Sequence, residues 1–165
     1  MKQIIMKQNA VLKRSKTALE AIESVLKELN EKADESGASY NSVLIIVEGR
    51  RDVASLRNLG IRDEIEISAC ANRPTAEFCE KIAETRKKAV ILTDWDRKGG
   101  ILAARLEEHF KNLGIAYETA QREKLLFYTK KDIKDVESLH AHVFKLRKTV
   151  YGTDECGIFE PEDEI

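Results

Sequence analysis

The sequence predicts an α/β protein in three layers, a mainly parallel sheet of about four strands between helices, and two observations carry that prediction. Residues 43–47 and 89–93 are runs of branched apolar side chains set between charged segments, the pattern of strands covered on both faces. Around them, strand-like runs alternate with stretches apolar at helical spacing, which implies right-handed crossovers and helices on each side of a parallel sheet. A chain of 165 residues, 42% hydrophobic and 35% charged, buries one core and leaves no room for a second large domain.

Taken in order, residues 8–35 carry Leu12, Leu19, Ile22, Leu26 and Leu29 at spacings of three, four and seven, widened by Val11, Ala18 and Val25. That is a helix whose apolar face suits lying on a domain or pairing with a second copy in a homodimer. Ser36, Gly37 and Ser39 stop it. Strand 43–47 runs through Glu48-Gly49 into a helix over 51–59 that ends at Gly60. A weaker strand over 64–68 and a helix over Thr75–Thr85, begun by Pro74, make the second step. Strand 89–93 leads through Asp94-Trp95-Asp96-Arg97-Lys98-Gly99-Gly100 into a helix with Leu102, Leu106, Phe110 and Leu113 on one face, ended by Gly114. Residues 115–117 and 125–128 read as short strands, and 135–150 as a last helix carrying Val136, Leu139, Val143, Leu146 and Val150. The expected division is an N-terminal helical extension over 1–40, a core domain over 41–128, a C-terminal helix over 129–152 and an acidic, disordered tail over 153–165.

The net charge of −1 hides an asymmetry. The tail holds six of the 29 acids and no basic residue, so the body sets 28 basic residues against 23 acids, about +5. Cys70, Cys79 and Cys156 match no zinc spacing and read as reduced thiols without an assigned role. The apolar stretch Ile4-Ile5-Met6 is too short for a signal-peptide core, and no window reaches the roughly 20 apolar residues that span a bilayer. The expectation is a soluble cytoplasmic protein with no membrane partner.

Glu48, Asp94 and Asp96 stand where the two core strands end. Ligands of such sheets sit outside the carboxyl ends of the strands. If the strands are neighbours, the three acids converge on one crevice. In an extended segment Asp94 and Asp96 face together and Trp95 faces away, to pack against the sheet or to stack on a base. Carboxylates so close raise one another's pKa unless a cation neutralises them, and hard oxygen ligands suit Mg²⁺ or Mn²⁺. Asp52, in the first turn of the following helix, is either a capping residue favoured by the helix dipole or a partner behind the ligands.

A strand, Glu48-Gly49-Arg50-Arg51-Asp52, then about forty residues later a strand and Asp94-Trp95-Asp96-Arg97-Lys98-Gly99, resembles the Toprim domain over roughly residues 41–127. That fold occurs in topoisomerases of types IA and II, bacterial primases, nucleases of the overcoming-lysogenisation-defect group, RecR proteins and the 5S-rRNA-maturing ribonuclease. A lone small chain with added helices is most similar to the stand-alone proteins related to that ribonuclease and to primase. The resemblance implies a three-layer, Rossmann-like fold, with Glu48 as general acid/base or ligand of a first metal. It implies Asp94 as a ligand shared by two Mg²⁺ ions and Asp96 as a ligand of the second. A metal pair about 4 Å apart holds the attacking and leaving oxygens of an in-line displacement. Glu48 exchanges a proton there only if its pKa is raised toward neutrality.

Departures from the family narrow the reading. None of Tyr40, Tyr117, Tyr128 and Tyr151 sits in a topoisomerase-like module, and no cysteine–histidine set supplies a primase zinc domain. The expected function is a Mg-dependent nuclease or RNA-processing enzyme acting on RNA or DNA. The alternatives are a non-catalytic nucleic-acid-binding module of the RecR kind and a primase-like nucleotidyl transferase. Arg50, Arg51, Arg97 and Lys98 stand beside the acids as phosphate-binding candidates, or as ion-pair partners of those same carboxylates. Arg122, Lys124, Lys130, Lys131, Lys134, Lys145, Arg147 and Lys148 form a second basic footprint, which the tail could occupy in cis. His140 and His142, two apart on a helix, point to different sides and read as surface residues.

Overall fold

The computed structural model describes residues 1–34, 43–68 and 74–152, and of 31–34 the backbone alone. The expected helix stop at 36–39, Tyr40, Cys70, Cys156 and the tail over 153–165 lie outside those residues. The elements are α1 (Lys2–Asp34), β1 (Val43–Val47), α2 (Arg50–Asn58), β2 (Glu64–Ile67), α3 (Thr75–Thr85), β3 (Lys88–Ile91), α4 (Arg97–Leu113), β4 (Tyr117–Glu118), α5 (Ala120–Thr129) and α6 (Leu139–Tyr151).

The four strands form one parallel sheet in the order β2-β1-β3-β4. Every residue of β1 is buried because both faces are covered. Val43, Ile45 and Val47 join the core under α1, α2, α5 and α6, whereas Leu44 and Ile46 join the core under α3 and α4. The helix after β1 and the helix after β3 therefore lie on opposite faces although the two strands are neighbours. This is where the strand order reverses, and in sheets of this kind ligands bind outside the carboxyl ends of the strands at such a point.

Several expected boundaries shift. α1 begins at Lys2 because residues 2–7 contain no helix breaker, although Ile4, Ile5 and Met6 there are exposed. Residues 125–128 are not a strand but the middle of α5: a continuous apolar run does not reveal its period, and burial falls on Gln121, Leu125 and Thr129, four apart. The expected strand over 89–93 is Lys88–Ile91, ending two residues sooner, and the fourth strand is only Tyr117–Glu118, so 115–117 moves two residues at its start and one at its end. α4 takes in Arg97, Lys98 and both glycines, and its buried face is Gly99, Ala103, Leu106 and Phe110, with Leu113 left exposed. α6 starts at Leu139 rather than 135, because the Asp135 carboxylate accepts the Ser138 N–H at 2.7 Å and holds a turn before the helix. His142 is not a plain surface residue: its Nε2 is shielded without a hydrogen-bond partner among the described residues, and burial lowers its pKa. Cys79 is a buried free thiol, its pKa pushed up to about 11 by burial. Among the described residues no helix is long and apolar enough to cross a membrane.

Candidate functional site

Glu48 follows β1 directly, and Gly49 is the N-cap of α2. The Asp52 carboxylate, at the third position of that helix, accepts the Gly49 N–H at 2.9 Å, the returning half of a capping box. Gly49 itself has φ −151°, an extended conformation open to any residue, and a Cβ there would meet only the Asp52 carboxylate, at 3.9 Å. The β1 end is thus closed by its own next five residues.

The β3 end is held from much farther away. Asp94 donates its N–H to Glu48 Oε2 at 2.8 Å, which joins the two strand ends. Its carboxylate Oδ1 accepts the Val136 N–H at 3.0 Å. Trp95 is buried, as expected of a residue facing away from the acids. Its N–H and its indole Nε1–H both donate at 2.9 Å, to Lys134 O and Ile133 O. Arg122, from α5, donates Nε to Thr93 O at 3.0 Å and Nη2 to Asp94 O at 2.8 Å. Asp96 is the N-cap of α4, its Oδ1 accepting the Gly99 N–H at 2.7 Å. Gly99 is required by proximity: a Cβ built there would stand 1.8 Å from Asp94 O. The buried Thr93 hydroxyl adds a bond to Gly99 O at 2.9 Å.

Asp94 has its pKa raised from 3.8 to about 7, first by burial and then by its side-chain hydrogen bond to Glu48 and the nearby charges of Glu48 and Asp135; the Val136 N–H opposes the rise. Asp52, 5% exposed, is raised to about 6 by burial and the charge of Asp94, against backbone bonds from Gly49, Glu137 and Glu48. Glu48, Asp52 and Asp135 therefore all repel charge on Asp94, on top of the cost of burying it. In donor type, carboxylate oxygens suit a hard divalent cation, which would relieve that repulsion.

The predicted three-acid convergence is met in part. Glu48 and Asp94 meet, whereas Asp96 is exposed and engaged in capping α4. Among the described residues no group of three or more His, Cys, Asp or Glu side chains is arranged to hold a metal ion. Arg50 and Arg51 open α2 and Arg97 and Lys98 open α4, so each of the two strand ends is followed by a helix N-terminus carrying two exposed cations. Arg51 pairs with Glu137 at 3.3 Å, not with the strand-end acids. Sequence reasoning missed the work of Arg122, whose side chain holds two carbonyls, and of Val136, which acts through its backbone N–H. It also missed Asp135 as a member of the acidic group. Nothing in residue identity distinguishes Arg122 from its basic neighbours.

The Toprim domain profile matches residues 43–127. The chain is similar to a UPF0292 protein of Methanosarcina acetivorans, 43% identical over 89% of this chain and 93% of the relative. It is similar to a UPF0292 protein of Methanocaldococcus jannaschii, 36% identical over 76% of this chain and 92% of the relative. Among solved structures, a putative protein from Aquifex aeolicus shares the fold with TM-score 0.53, 22% identity, and coverage of 70% of this chain and 95% of that one.

Proposed function

Starting from a chain that belongs to the Toprim domain family and to the UPF0292 proteins, we propose that it binds Mg²⁺ at the ends of β1 and β3 and cleaves a nucleic-acid phosphodiester. The observation that carries this reading is the Glu48–Asp94 pair, in which the Asp94 N–H donates to the Glu48 carboxylate across neighbouring strand ends and the Asp94 pKa is raised to about 7. Groups perturbed by burial and a specific charged partner in a crevice mark functional sites. A bound Mg²⁺ supplies charge neutralisation at the reacting phosphate.

In this reading Glu48 and Asp94 hold the metal, Asp96 joins them on releasing the Gly99 N–H, and Asp52 fixes the Glu48-Gly49 turn from behind. Where its pKa is raised toward neutrality instead of held low by the metal, Glu48 would take or give the proton at the reacting oxygen. Arg50, Arg51, Arg97 and Lys98 hold the flanking phosphates with the aid of the two helix N-termini. Gly49, which the fold does not require sterically, leaves the approach to Glu48 open. The test is cleavage of structured RNA, single-stranded DNA and duplex DNA in Mg²⁺ by wild type and Glu48→Gln. Loss of cleavage by about 10²-fold or more in the variant, with binding within a few fold, is expected; cleavage at the wild-type rate would remove Glu48 from the chemistry.

A second reading, a binding module without turnover, is favoured by one feature: Asp94 and Asp96 already accept backbone N–H groups, and no three-carboxylate cluster is preformed among the described residues. Tight binding of nucleic acid by wild type with no cleavage of any substrate would select it.

A further inference from the structure

On the face of the sheet that carries α1, α5 and α6, a groove of about 650 Å³ is lined by Lys13, Arg14, Phe127, Tyr128, Lys130 and Lys131. Its volume is in the range of ligand clefts. Asp132 is the single carboxylate lining it. Among the described residues none of the four cations has an ion-pair partner, and all four are exposed. The surroundings extend the same sign: residues 1–19 hold Lys2, Lys7, Lys13, Arg14 and Lys16 and no Asp or Glu. Phe127 is 67% exposed, its ring set edge-on to Tyr128 with centroids 5.0 Å apart. A bare phenyl ring among unpaired cations is a poor surface for water and a good one for a base beside its phosphates.

The chain that leaves the groove also reaches the acids. Lys130 and Lys131 line it, exposed Lys134 follows, Lys134 O accepts the Trp95 N–H, and the Val136 N–H reaches the Asp94 carboxylate. From Lys131 to Val136 is at most about 18 Å of extended chain. We infer that this groove holds a single-stranded nucleic acid, with its phosphates on Lys13, Arg14, Lys130 and Lys131 and a base on Phe127, and delivers the strand along residues 130–136 to Asp94. The delivery rests on the proposed function, whereas the binding does not. Unpaired bases are specified because stacking on an exposed ring needs an open π-face, which a duplex does not offer.

The test is fluorescence anisotropy of short labelled oligo-uridine and oligo-thymidine with the full chain in EDTA, so that no turnover enters the readout. Lys130→Glu with Lys131→Glu, and separately Lys13→Glu with Arg14→Glu, should each weaken binding about tenfold or more and flatten its salt dependence by about 0.7 in log–log slope for each phosphate no longer neutralised. Phe127→Ala should weaken it about fivefold or more. Arg105→Glu with Lys111→Glu, an equal charge change on α4 across the sheet, should change it about twofold at most, since screening limits exposed charges beyond about 10 Å. Equal loss in that control would mean general attraction of a polyanion and overturn the groove. Groove variants that alter oligomeric state in sedimentation while binding oligonucleotide as wild type would assign the groove to contact between copies instead. Cleavage by wild type with unchanged affinity in the groove variants removes the groove alone. Groove-dependent binding with no cleavage keeps the groove and removes the enzyme reading.

Discussion

The ends of β1 and β3 carry the same kind of cargo, acids between a strand and the helix that follows it, yet they are built in opposite ways. At β1 the turn is closed within five residues: Asp52 returns to the Gly49 N–H, and Gly49 keeps an ordinary extended backbone. At β3 the backbone of residues 93–95 is fixed by Arg122 and by residues 133–136, which lie far along the chain, and α4 presses so close that only glycine fits at 99. A site made of one locally closed end and one clamped end teaches that the clamped one sets the geometry. The other follows it through the Asp94 N–H to Glu48 bond.

The largest way to break that contrast is at the glycine of the clamped end. Gly99→Ala forces a methyl into the Asp94 carbonyl and should destabilise the protein by at least about 3 kcal/mol, measured by urea unfolding. Arg122→Ala comes next. It leaves two carbonyls at the strand end without their donor, and a loss of about 2 kcal/mol is expected, with Mg²⁺ affinity falling as well. Arg122→Lys should recover little, since a single ammonium does not reproduce the fork.

Charge sharpens the comparison further. Asp94 titrates at about 7 in the fold against 3.8 without it, so the native state binds the extra proton and stability falls as pH rises from about 4 to about 7, levelling above. Metal-free protein should accordingly melt higher at pH 5 than at pH 8. Asp94→Asn should abolish most of that difference and gain about 1–2 kcal/mol at pH 8, once the screening of a half-buried group is allowed for. Mg²⁺ reverses the sign: it should stabilise wild type at pH 8, hardly at pH 5, and the variant at neither. A wild type equally stable at both pH values without metal would contradict the carboxylate repulsion. The smallest effect is expected from Gly49→Ala, whose backbone is permitted and whose Cβ meets nothing closer than 3.9 Å; stability should stay within about 1 kcal/mol. A larger loss would show that the locally closed end is as tightly constrained as the clamped one.

What the sequence determined by itself is what short-range pattern encodes. The buried strands at 43–47 and near 89, the helix at Thr75–Thr85, the Asp52 turn and the placement of Glu48 and Asp94 at strand ends follow from apolar runs and the residues directly after them. Helix-versus-strand failed at 125–128, where four consecutive apolar residues carry no period. Only the tertiary structure decided that β1 and β3 are neighbours, because their pairing joins residues more than forty apart. It also turned Arg122, Ile133, Lys134 and Val136 onto residues 93–95. Each of those holds has a backbone N–H or carbonyl on at least one side, groups that every residue but proline carries in full, so the sequence does not announce which side chain or segment will meet them. The pKa of Asp94 belongs to the same class: burial is its first cause, and burial is a property of the assembled fold.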